Sequence, residues 1–208
     1  EDFIKQLATV GVAGSSSWSG YFVSRDHTSE EGLYVPWIND PTSLLMRDGF
    51  NLFYHAIYKT DHPAWLYEGM ATYFESCRFD GEKITDAYVN QSRLRSLQAQ
   101  LKAGQHDRLS DLLNATRRSF SLQQYDEAWA FIYWMVWGQK NLAKQKEMQL
   151  RLCTYLTMLN NAKNHNAAAF EKITGIKLVE VEEEWKKWVL ALNPADSYGG
   201  LGNPREKK

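Results

Sequence analysis

The residues best placed to do chemistry fall in one stretch of the chain. Arg47, Asp48, Asn51, His55 and Tyr58 recur at helical spacing, and Glu68, Thr72 and Glu75 repeat that spacing further on. Carboxylates near an imidazole can exchange protons with a substrate or offer oxygen and nitrogen to a divalent ion. Asp48, His55 and Glu68 are such a donor set. Arg47 opposes it, because a guanidinium is permanently charged and has no lone pair to give a metal. Asn51 adds only a weak amide oxygen.

Two helices must carry these groups. In "NDPTSLLMRDGFNLFYHAIY" Asp40 can accept from the free N–H groups of a helix start and Pro41 suits its first position, so a helix is expected to about Tyr58. Its apolar stripe reads Leu45, Gly49, Leu52, Phe53, Ala56 and Ile57. "KTDHPAW" breaks the pattern, and Asp61 or His62 with Pro63 opens a second helix through about Ser76. So short a link makes the pair antiparallel or steeply crossed, which lets the polar stripes face each other.

Around this pair the chain reads as α+β, mainly α. Tyr21–Val23 and Leu33–Val35 are short strand candidates after a short helical start, a small β portion over residues 1–38. Beyond "RFDGEK" helices are expected at about 84–103, 107–115, 122–139, 141–160, 166–173 and 179–192. The expected organisation is one domain over residues 1–193, its helical portion spanning 39–193, followed by a flexible tail, 194–208, poor in apolar side chains.

Composition narrows the function classes. With 24 Lys and Arg against 25 Asp and Glu, the net charge of −1 gives no basic surplus for nucleic acid. The longest apolar run, "AWAFIYWMVWG", is too short to cross a bilayer, so no transmembrane segment is expected and the chain reads as soluble. Cys77 and Cys153 are the two cysteines; the spacing leaves one bridge or two buried free thiols open. The opening "EDFIKQLATV" lacks an initiator Met and a leader pattern, as expected of an excised domain or processed product.

The block "PAWLYEGMATYFE", residues 63–75, resembles the second metal-binding helix of gluzincin zinc metallopeptidases. It is most similar to a bacterial branch of uncharacterised peptidase-like domains that pair H-E-G-x-H with P-x-W-L-x-E-G-x-A-x-Y-F-E. The likeness covers about residues 40–76 and extends to "YDEAWAFIYWM" and "VEEEWKKWVLAL". It implies a zincin-type helical core, and a zinc ion held by two histidines of the first helix and a Glu of the second, with a Glu base between the histidines. It also implies an exported protein, extracellular or in the cell envelope.

Aligned this way, the first His position is Arg47, the base position Asp48, the second His position Asn51, and only the third ligand, Glu68, is kept. One carboxylate does not make a zinc site, and Asp48 is one methylene short of a Glu base. The expectation is a degenerate peptidase without zinc or other cofactor, binding a peptide or protein in the old cleft or scaffolding one. In it Arg47 would pair with Glu68 where zinc linked the helices; loss of either partner would then cost roughly 3–5 kcal/mol. The alternative is an active hydrolase with a rearranged metal centre of Asp48, His55 and Glu68.

Tyr125 aligns with the Tyr that stabilises an oxyanion in such sites, although core packing is the simpler reading here. Trp129, Tyr133, Trp134 and Trp137 recur at helical spacing and read as core. "GSSSWSG" is no nucleophile elbow and reads as a loop. His62 reads as a turn and cap residue, and His27, His106 and His165 as loop histidines.

Overall fold

A computed structural model describes residues 21–23, 32–34, 42–58, 62–79, 84–161, 164–193 and 197–199. The expected helical start, the Asp40 cap, the loops holding "GSSSWSG" and His27, and most of the C-terminal tail lie outside these residues. The chain divides into two units, Glu1–Lys59 and Thr60–Lys208. The described part is mainly helical with small β elements.

In the first unit, strands β1 (Tyr21–Val23) and β2 (Gly32–Tyr34) pair antiparallel, Phe22 opposite Leu33, and helix α1 (Thr42–Ile57) packs on both. The buried side of α1 differs from the expected stripe. Phe50 and Tyr54 are buried whereas Phe53, Ala56 and Ile57 are exposed. The rings of Phe50, Tyr54 and Tyr58 form an i, i+4 ladder, with centroids 5.3 and 4.6 Å apart. The buried side follows this ladder, which covers the Phe50 and Tyr54 rings and leaves the Phe53 ring outside.

The second unit is built on helix α2 (Ala64–Glu75) against helix α5 (Leu122–Trp137), its most extensive helix–helix contact. Gly69 sets the separation: a methyl there would lie 2.8 Å from the Ala128 carbonyl oxygen and 2.9 Å from Ile132 Cγ1. Trp65 fills the adjoining core, its ring 5.7 Å from Phe131, 5.9 Å from Tyr155 and 5.5 Å from Phe170. Helices α3 (Gln91–Ala103), α4 (Leu109–Asn114), α6 (Leu142–Met158), α7 (Ala167–Thr174) and α8 (Leu178–Ala191) surround this pair. A 3-10 turn, Leu159–Asn161, extends α6.

Local chemistry explains the boundaries. Asn90, Asn141 and Asn166 each cap a helix through the side chain. Ser121 and Gln124 form a reciprocal capping box at the start of α5. Gly104 and Gly175 end α3 and α7 with φ of 67° and 69°, a conformation in which a Cβ would be strained.

Residues 84–88 depart from the expected helix. β3 (Cys77–Phe79) and β4 (Ile84–Tyr88) pair antiparallel, with a register shift at Arg78/Phe79. "ITDAY" carries β-branched and aromatic residues, and the Asn90 cap allows a helix only from Gln91. Within the segment expected to be loose, β5 (Ser197–Gly199) pairs with β4, placing Tyr198 opposite Ala87. Cys77 and Cys153 form no disulfide; Cys77 is buried and Cys153 is exposed, so neither the bridge nor the pair of buried thiols is found. Among the described residues no helix is long and apolar enough to cross a membrane.

Candidate functional site

The motif residues are divided between the two units. Arg47, Asp48, Asn51 and His55 lie on α1, and Glu68 lies on α2. On α1 the Asp48 carboxyl is buried at 5% exposure, Arg47 and Asn51 are half-buried and His55 is exposed. The Asn51 side-chain amide donates to Asp48 Oδ1 at 3.5 Å, a contact one turn long within the helix. The local arrangement is a guanidinium, a carboxylate and an amide along one helix side.

On α2 the side that carries Glu68, Thr72 and Glu75 faces protein for most of its length. Glu68 is 8% exposed and Thr72 fully buried. Glu75, at the helix end, lies 3.8 Å from Arg93 Nη2, and Arg93 Nη1 donates to Asp126 Oδ1 at 3.0 Å. These three residues with Asn90, Ser92 and Ser96 line an open cavity of about 350 Å³. Arg93 is thus held between two carboxylates, a charge-assisted arrangement that fixes the start of α3 against α2 and α5.

Tyr125, in the first turn of α5, is half-buried with its ring edge-on to Phe120 at 5.1 Å. Trp129, Tyr133 and Trp134 are buried as core residues, and half-buried Trp137 donates from Nε1 to the Tyr73 hydroxyl at 3.0 Å. His62 immediately precedes Pro63, the residue that starts α2 without a side-chain cap, and His106 and His165 lie in loops. Among the described residues no group of three or more His, Cys, Asp or Glu side chains is arranged to hold a metal ion.

The sequence reading passed over Glu127. This side chain is 1% exposed and accepts from the Asp107 backbone N–H and from Gln123 Nε2, both at 2.9 Å on Oε1. Its Oε2 is buried with no hydrogen-bond partner among the described residues. Burial pushes the carboxyl up to about 7 from 4.5, against the lowering effect of its two hydrogen bonds. The available signal was its spacing: Glu127, Phe131 and Trp134 share the inward face of α5.

A family model described as "Protein of unknown function (DUF1570)" matches residues 53–149, just under half of the chain. The match takes in the helix of Glu68 and the first turn of α5 with Tyr125, and begins after Arg47, Asp48 and Asn51. That description names no activity. No curated protein and no solved structure matches the chain.

Proposed function

We propose that this chain is a catalytically inactive, gluzincin-like domain that has lost its zinc centre and binds or scaffolds a peptide or protein, at the cell envelope or outside the cell. The observation that carries the reading is the set of side chains on α1: Arg47, Asp48 and Asn51 stand where the motif requires His, Glu and His. A guanidinium in place of an imidazole removes a lone pair and adds positive charge where a dication would sit. Asn51 spends its amide on Asp48, which ties that carboxyl to its own helix. Glu68 alone supplies one ligand of the three that a catalytic zinc ion takes from protein.

An active hydrolase using Asp48, His55 and Glu68 fits the helix less well. Asp48 and His55 are seven residues apart, a rise of about 10.5 Å along α1. Two donors of one ion lie within roughly 4 Å of each other.

The test is metal analysis of protein purified without chelators, together with a peptide-library assay read for both binding and cleavage. Peptide binding without turnover and without Glu68-dependent zinc supports the reading. Stoichiometric zinc held at submicromolar affinity and lost in Glu68→Gln overturns it, as does metal-dependent cleavage.

A further inference from the structure

His62 and His165 are 103 positions apart in sequence, yet their imidazole rings meet in the second unit with centroids 6.0 Å apart and planes inclined at 44°. Each is mounted at the threshold of a helix. His62 precedes Pro63, which is buried and enters α2 with φ −60° and ψ 130°. His165 precedes Asn166, whose side chain accepts from the Ala169 N–H; the next N–H, of Ala167, is taken by Asn114 Oδ1 at 3.0 Å. Tyr155 donates to the His165 carbonyl at 3.5 Å. The backbones on both sides of the pair are therefore held before any ligand arrives.

We propose that His62 and His165 form a two-imidazole site for a borderline transition-metal ion, of the copper(II), nickel(II) or zinc(II) class, that ties the start of α2 to the start of α7. A metal lies about 2.0–2.1 Å from each ligating nitrogen, which puts the two ring centres roughly 5–6 Å apart for angles between tetrahedral and nearly linear. The observed spacing lies at the upper end of that range. His165 Nδ1 is shielded from solvent and has no hydrogen-bond partner among the described residues, a polar atom that a bound ion would satisfy.

The surroundings select the class of ion. The N-termini of α2 and α7 carry partial positive charge, which disfavours a cation held by electrostatics alone. Binding must come from coordination to nitrogen, which favours borderline metals over calcium or magnesium. Two protein ligands leave the remaining positions to water, so the ion is exchangeable. The proposal uses none of Asp48, His55 and Glu68 and does not depend on the function proposed above.

The test is calorimetric titration of chelator-stripped, dialysed full chain with copper, nickel and zinc salts, alongside thermal melts. The expected result is one ion per chain, with copper bound most tightly and the melting temperature raised by each bound metal. Affinity should fall by more than about tenfold in His62→Ala and in His165→Ala. His55→Ala, His106→Ala, Cys153→Ser and Glu68→Gln should leave it unchanged. His165→Gln, which keeps a polar side chain, should lose binding while its metal-free melt matches that of the parent chain. The proposal is overturned if no saturable binding occurs below roughly 1 mM, or if binding survives both histidine substitutions. Zinc lost only in Glu68→Gln would overturn it together with the inactive-peptidase reading; zinc lost only in the His62 and His165 variants leaves that reading intact.

Discussion

Glu127 accepts the backbone N–H of Asp107 at 2.9 Å from a position on α5 that is almost wholly removed from water. The contact pins the loop between α3 and α4 to the central helix, and Gln124 Nε2 reinforces it by donating to Asp107 Oδ2 at 2.8 Å. The fold thereby carries a carboxyl group that titrates near neutrality, pushed up to about 7 from 4.5 by burial.

A pH dependence of stability follows from this raised value. The protonated form is the one the fold favours, so its contribution is fully present below about pH 4.5 and is lost as pH rises through about 7. The span corresponds to a loss on the order of 3 kcal/mol. Glu127→Gln should flatten this part of the profile and be more stable than the parent chain at about pH 8. Urea unfolding of both proteins at about pH 5 and pH 8 checks it; parallel profiles would refute the assignment.

Two glycines should respond oppositely to the same substitution. Gly69→Ala forces a methyl against the Ala128 carbonyl and Ile132, and should cost about 1–3 kcal/mol. Gly49→Ala meets nothing within 4 Å among the described residues in the middle of α1 and should gain roughly 0.5–1 kcal/mol. Shifts of the unfolding midpoint in opposite directions are the expected result.

Tyr133 ties α5 to the sheet by donating its hydroxyl to the Ala87 carbonyl at 3.0 Å. Removing that donor in Tyr133→Phe leaves a buried carbonyl short of one partner, at a cost of about 1–2 kcal/mol. Amide exchange in β4 should quicken more than exchange in α7, since the lost contact touches only the former.

Rebuilding the expected motif tests the reading of α1. Arg47→His and Asn51→His introduced together place two imidazoles at i and i+4 on α1 and should raise zinc affinity by more than about tenfold over the parent chain, read by calorimetric titration. Equal zinc affinity in the parent and the double variant would show that Arg47 is no obstacle.

Helical spacing and cap residues carried much of the fold in readable form. Helix α5 starts at Leu122 as its capping box requires, and Pro63 marks the start of α2. Strand Ile84–Tyr88 was misread because its tie to β5 is non-local, and because Asn90 defines the helix start only once that strand exists. The buried side of α1 was not legible because large apolar side chains, Phe53 on one side and Phe50 and Tyr54 on another, occur around the helix, so spacing alone does not say which side is covered. The side-chain types at Arg47, Asp48 and Asn51 were legible directly. The meeting of His62 with His165 was not, since nothing local encodes a contact across 103 positions.

The pairing of Ser197–Gly199 with Ile84–Tyr88 bears on where this protein can be cut. A shortened version ending at Asn193 would strip one side of β4, leaving amide and carbonyl groups without their neighbours. Bare strand margins of that kind recruit other chains, so the truncated protein should self-associate more strongly than the longer one.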